Sequence, residues 1–137
     1  MDLMDFRAFC LSLPEVEEAM PFDDRVLIFK VGGKLFTCCD ILNFREIAVK
    51  SDPDVAVELR ERYADITPAR YFNKRHWNAI RLEGDLPEEL IRLQILNSYR
   101  IVVYKSVMPK AERLRLIEVY EKWANEHPHG VMRDADL

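Results

Sequence analysis

The chain has 137 residues, 49% of them hydrophobic and 32% charged, with a formal net charge of −4 and a pI near 5.4. That length suits one domain with one core. The apolar content excludes disorder throughout, and the acidic balance excludes a protein that coats nucleic acid indiscriminately, while leaving room for a local basic face. The first residues, MDLMDFRAFC, lack the basic and apolar regions of a signal peptide. No uncharged run approaches the roughly 20 residues that span a membrane. A cytoplasmic protein with no membrane partner is expected. The three cysteines, Cys10, Cys38 and Cys39, are odd in number and include two sequence neighbours, so buried thiols in a reducing compartment are predicted rather than a disulfide scaffold.

Asp2 is placed to cap a first helix, with Asp5 three residues on. Leu3, Phe6, Cys10 and Leu13 recur at helical spacing, and Pro14 should end the helix at Leu13. Residues 25–31 and 34–40 are rich in β-branched and aromatic types and are separated by Gly32-Gly33, the pattern of a tight hairpin. A third strand is expected at 44–50, with Arg45, Ile47 and Val49 on one face. Asp52 and Pro53 open a second helix as N-cap and first helical residue, with Val55, Leu59 and Tyr63 as its buried stripe. A loop containing Thr67-Pro68 leads to a strand at 77–82, closed by Gly84-Asp85. Pro87 starts a long helix to Lys105, with acids in its first turn and bases at its end. Pro109 starts a last helix to about 125, with Leu116, Tyr120 and Trp123 on one face. The order implies an α+β fold, an antiparallel β-sheet packed against helices, rather than alternating βαβ units. The expected organisation is a domain over 1–110, an added helix over 111–126 packed on or extending it, and a flexible tail over 127–137.

Most catalytic patterns are missing. With four glycines no phosphate loop or dinucleotide fingerprint can be written. Ser12, Ser51, Ser98 and Ser106 occupy no nucleophile elbow. A pairing of Cys38 or Cys39 with His76 has no local signature, and a buried thiol is favoured. His127 and His129 flank Pro128 without further ligands nearby, which favours a solvated tail over a metal site. No catalytic residue, metal ligand or cofactor is assigned, and a non-enzymatic protein is expected.

Residues 70–81, RYFNKRHWNAIR, differ from the rest. Arg70, Lys74, Arg75 and Arg81 place four positive charges there without an acid, on a chain whose total is −4. Tyr71, Phe72 and Trp77 interleave with them, and Asn73 and Asn78 add amides. Such a mixture can neutralise phosphates, stack on bases and read polar edges. The same residues also fit a structural role: Asn73 can brace a turn through its own side chain, and Phe72 and Trp77 can be core.

The run N-K-R-H-W-N at 73–78, followed by a short strand and Gly-Asp-x-Pro, resembles the signature of the MmcQ/YjbR-like family. The C-L-S-L-P stretch at 10–14, Pro21-Phe22-Asp23, the F-K-V-G-G-K-L-F hairpin at 29–36, the Asp52-Pro53 helix start and Ser98-Tyr99 agree with it. The resemblance covers about 1–110. It implies a compact α+β fold grouped with frataxin-like (CyaY-like) architectures and described as a double-wing DNA-binding motif. Carried onto matching positions, the signature is Asn73, Lys74, Arg75, His76, Trp77 and Asn78. Arg75 stands where the family often has a second Lys, which preserves the charge.

Three functions follow as expectations. In the first, DNA is the partner: Lys74, Arg75 and Arg81 contact phosphate with Arg70 in support, Asn73, His76 and Asn78 make polar contacts, and a hairpin carrying Lys30 and Lys34 acts as a wing. In the second, the segment is structural and the aromatics shape a surface for a protein partner or a small molecule. In the third, which follows from the frataxin-like grouping, Glu15, Glu17, Glu18, Asp23 and Asp24 form an iron-handling surface. The oligomeric state is left open. The first expectation stands or falls on whether Lys74 and Arg75 face water or turn inward to acids such as Asp65 or Glu83.

Overall fold

A computed structural model describes residues 1–127. The expected tail beyond His127 therefore lies outside the described residues. The elements run α1 (Leu3–Ser12), β1 (Glu17–Ala19), β2 (Val26–Val31), β3 (Lys34–Asp40), β4 (Glu46–Lys50), α2 (Pro53–Arg62), β5 (Ile66–Pro68), β6 (Trp77–Arg81), α3 (Glu88–Lys105) and α4 (Lys110–Glu126). The strands form one antiparallel sheet in the order β1-β2-β3-β4-β6-β5, the α+β class expected from the sequence.

Local chemistry explains most boundaries. Asp2 and Asp5 close a reciprocal capping box on α1, which satisfies donors that a helix start leaves free. Leu13 leaves helical geometry before Pro14, as a residue ahead of proline should. Gly32 and Gly33 take φ of +58° and +75°, the left-handed geometry of a two-residue hairpin turn. Asp52 occupies the N-cap position of α2, but its carboxylate makes no capping bond there. It accepts instead from Lys105 Nζ at 2.9 Å, so a long-range ion pair replaces the local one. On α2 the fully buried residue is Ala56, while Val55, Leu59 and Tyr63 are half-buried. Two strands escape the sequence pattern. β1 lies among acids and β5 ends in proline; both are edge strands of three residues, where alternation is too short to read.

The main core joins α1, α3 and α4 to one sheet face through Phe6, Phe29, Phe36, Ile47, Val49, Tyr99, Leu116 and Tyr120, among others. The last helix thus buries its apolar face in the same core. Ser98 ties α3 to the sheet: its hydroxyl donates to the Phe36 carbonyl and accepts from the Lys50 N–H at 2.8 Å. Tyr99 donates its hydroxyl to the Pro14 carbonyl at 2.8 Å.

The other sheet face carries a row of direct register partners running Ala19, Ile28, Cys38, Ala48, Ala79 and Thr67 across all six strands. Its buried cluster draws no residue from a helix. Phe72 and Trp77 pack against it, stacked with ring centroids 4.6 Å apart and planes 23° from parallel. Small residues in the row leave room for those rings, which is the packing reason for Ala48 and Ala79 where large side chains would otherwise suit a sheet.

Candidate functional site

Antiparallel pairing gathers distant cations at one end of the sheet. β2 ends beside the Gly32-Gly33 turn, β4 ends at Lys50, β6 begins at Trp77, and Lys50 and Trp77 are register partners. The 69–76 segment emerges at this same end, so Lys30, Lys34, Lys50, Arg70, Lys74 and Arg75 share it. Arg81 does not join them. It is the last residue of β6, about 13 Å from Trp77 at the usual strand rise, and its register partner is Glu46.

The segment is braced by its own backbone. The Asn73 carbonyl accepts from the N–H groups of His76 and Trp77, each at 3.0 Å. Asn73 Oδ1 accepts from the Arg75 N–H at 3.0 Å, the side-chain turn that the sequence allowed. Arg60 Nη1 donates to the Lys74 carbonyl at 3.2 Å, Ser51 N–H donates to the His76 carbonyl at 2.8 Å, and Ala69 N–H donates to the Trp77 carbonyl at 3.2 Å. Main-chain groups are thereby engaged while the charged side chains of Arg70, Lys74 and Arg75 are exposed.

Those three groups, Lys50 and Arg81 have no carboxylate within ion-pair distance among the described residues. Several cations elsewhere are paired: Arg7 with Glu18, Arg25 with Asp40, Arg45 with Glu83, Lys105 with Asp52, and Arg115 with Glu15 and Glu112. The two acids that would have neutralised the segment are engaged otherwise. Glu83 faces Arg45, and Asp65 accepts from the Asp85 N–H at 3.0 Å.

The remaining predicted site residues separate. Asn78 is 0% exposed and sends its Nδ2 to the Ala56 carbonyl at 3.3 Å. It fixes α2 to β6 and cannot touch a macromolecule, which removes it from the expected contact set. Trp77 and His76 are half-buried, and one face of the Trp77 ring is covered by Phe72. Asn73 is exposed but its oxygen is engaged in the turn. The hairpin expected as a wing is backed on one side: a Cβ at Gly32 would sit 2.8 Å from Leu116 Cδ1 and 3.3 Å from Met108 Cε.

Sequence reasoning missed two members of this surface. Lys50 lies 20 residues upstream of Arg70 in the chain and reaches the cluster only through the pairing of β4 with β6. Tyr71 belongs to the aromatic mixture able to stack on bases but is absent from the expected contact residues, yet it is 91% exposed.

The other candidate chemistries do not assemble. All three cysteines are buried and free. Burial pushes the Cys38 thiol up to about 11 and the Cys39 thiol up to about 12, away from the lowered values of reactive thiols. The early acids are dispersed, with Glu15 on Arg115, Glu18 on Arg7, and Asp23 accepting from the Arg25 and Val26 N–H groups. No three His, Cys, Asp or Glu side chains among the described residues converge on a metal-sized site. No described helix is long and apolar enough to cross a membrane.

The family model YjbR matches residues 11–101, a span that holds the hairpin, the braced segment and most of α3. The chain is 28% identical over 120 residues to the uncharacterised protein YjbR of Escherichia coli (strain K12), covering 87% of this chain and 100% of that protein. It is 33% identical over 98 residues to the uncharacterised protein YbdF of Escherichia coli O157:H7, covering 71% of this chain and 80% of that one. The crystal structure of Deinococcus radiodurans protein DR2400, a DUF419 domain, superposes with a TM-score of 0.76 at 36% identity, over 83% of this chain and 86% of that chain. A protein from Pseudomonas syringae shares the fold, with a TM-score of 0.63 at 21% identity over 74% and 98% of the two chains. This chain belongs to the YjbR family.

Proposed function

We propose that this protein is a non-enzymatic nucleic-acid-binding domain of the cytoplasm, with DNA as the expected partner, and that Lys50, Arg70, Lys74 and Arg75 hold the phosphates. One observation carries the reading: Arg70, Lys74 and Arg75 are exposed on a braced segment with no carboxylate partner among the described residues, at the sheet end that also holds Lys50. Desolvated or paired bases would have little left to offer a phosphate, whereas exposed ones release counterions when they meet it.

A salt titration tests this. Four phosphate contacts predict a slope of log K against log salt of about −3.6 on duplex DNA, a loss of about two decades between roughly 50 and 200 mM. The double reversal Lys74→Glu with Arg75→Glu should abolish binding and leave Tm nearly unchanged, because both side chains are exposed. Absence of binding to both single-stranded and duplex DNA at low salt, or a flat salt response of whichever binds, would remove the reading.

A second reading, a protein-binding module, is favoured by a different surface. Leu3, Met4, Ala19, Met20, Leu27 and Ile41, with the Arg7–Glu18 ion pair, line a shallow cleft of about 430 Å³ between α1 and the β1 edge, and Phe22 and Leu42 are exposed by 74% and 69%. Apolar exposure of this kind marks docking sites. Met20→Glu should then release a protein captured from lysate after nuclease treatment, while the Lys74/Arg75 reversal should not.

A further inference from the structure

We infer that the nucleic acid held here is single-stranded and that Tyr71 is the platform on which one of its bases stacks; this rests on the phosphate-binding reading above.

Tyr71 is the most exposed large apolar side chain among the described residues, at 91%. Among the described residues it makes no hydrogen bond and no ring contact. Its neighbours behave differently: Phe72 and Trp77 stack on each other and on the small residues of the sheet. The segment therefore holds two aromatic rings down and presents a third. Arg70 precedes Tyr71, and Lys74 and Arg75 follow within four residues, all exposed. At 91% exposure the ring is almost wholly in solvent, and three unpaired cations lie within four residues of it in the chain.

That arrangement suits an unpaired strand. A base offers its π-face only when it has left the duplex stack, and stacking on an aromatic side chain between backbone-tracking cations is how single strands are held without sequence reading. Duplex reading requires an element that enters a groove, a helix or a two-stranded ribbon. Lys50, Arg70, Lys74 and Arg75 lie on no helix, and the nearby hairpin turn, open at Gly33, is backed at Gly32 by Met108 and Leu116. Three of the four cations fall within six consecutive residues, 70–75, a span suited to a few nucleotides of flexible backbone.

The test is a fluorescence-anisotropy titration at about 50 mM salt of a labelled mixed-sequence DNA strand of about 12 nucleotides, and of the same strand annealed to its complement. The proteins are the full chain, Tyr71→Ala, Tyr71→Phe and the Lys74→Glu/Arg75→Glu variant. The single strand should bind more tightly than the duplex. Tyr71→Ala should weaken the single strand by about tenfold and leave the duplex unchanged, and Tyr71→Phe should retain wild-type affinity. A duplex bound as tightly as the strand, or a single-strand affinity indifferent to Tyr71→Ala, would overturn the inference. Loss of binding in the charge-reversed variant would still uphold phosphate binding in that case. No binding of either DNA by the wild-type chain would overturn both. Equal melting temperatures of the Tyr71 variants and wild type exclude misfolding as the cause.

Discussion

Lys50 and Trp77 stand opposite each other across the β4/β6 pair, although 26 residues separate them in the chain. Directly opposed residues share a sheet face, so the lysine lies beside the aromatic layer that anchors the 69–76 segment. Ser98 holds the Lys50 N–H from the other side of the strand. The position of Lys50 is thus set by β4, β6 and α3 together.

Lys50 and Arg81 should consequently behave differently. Lys50→Ala is expected to weaken nucleic-acid binding and reduce the magnitude of the salt slope by about one contact's worth, about 0.9 on duplex and 0.7 on single strands. Arg81→Ala, at the far end of β6 opposite Glu46, is expected to leave both unchanged. Titrations at several salt concentrations check both. Equal effects would mean that the sheet end does not define the site.

Asn78 should act on stability alone. Its Nδ2 bonds the Ala56 carbonyl and its Oδ1 is buried without a partner. Asn78→Ala should cost about 1–3 kcal/mol, the range for loss of a buried polar contact. Asn78→Asp should cost more, because a carboxylate there loses the donated bond and must be desolvated. Urea unfolding measures both, and wild-type stability in Asn78→Asp would contradict the placement.

The two turn glycines should also differ. Each has positive φ, where an alanine costs about 1–2 kcal/mol. At Gly33 the added Cβ meets nothing within 4 Å, whereas at Gly32 it lies 2.8 Å from Leu116 Cδ1. Gly32→Ala should therefore lower Tm more than Gly33→Ala. Gly32→Ala combined with Leu116→Ala should be less than additive, since the second change removes the clash.

Acid sensitivity should trace in part to two ion pairs. Hydrogen bonding from Arg7 holds the Glu18 carboxyl below its ordinary value of 4.5, and Arg115 does the same for Glu112, with desolvation opposing in each case. A group lowered in the folded state stabilises fully above its unfolded value, and that stabilisation is lost as pH falls through the folded one. Tm should thus decline below about pH 4.5, and Glu18→Gln with Glu112→Gln should flatten that decline while lowering Tm at neutral pH. A steeper acid limb in the double variant would reverse the assignment.

Local interactions were legible in the chain. The capping box of Asp2 and Asp5, the Gly32-Gly33 turn, the alternation of Ile47, Ala48 and Val49, and the α3 and α4 periodicities each depend on residues a few positions apart. So did the candidate segment, because its charge and aromatic content lie in twelve consecutive positions, 70–81. β1 and β5 were not legible: three-residue edge strands carry too little pattern and exist because a neighbour offers hydrogen bonds.

Within the segment, composition could not separate Asn78 from Asn73, or Arg81 from Arg75. Alternation places Asn78 on the helix-covered face, and strand length carries Arg81 away. Which cations remain unpaired, which asparagine is buried, and which aromatic ring stays open are decided by contacts between elements far apart in sequence. The chain alone determined what chemistry is present; the fold determined which of it reaches water, because exposure is a property of packed neighbours and not of residue type.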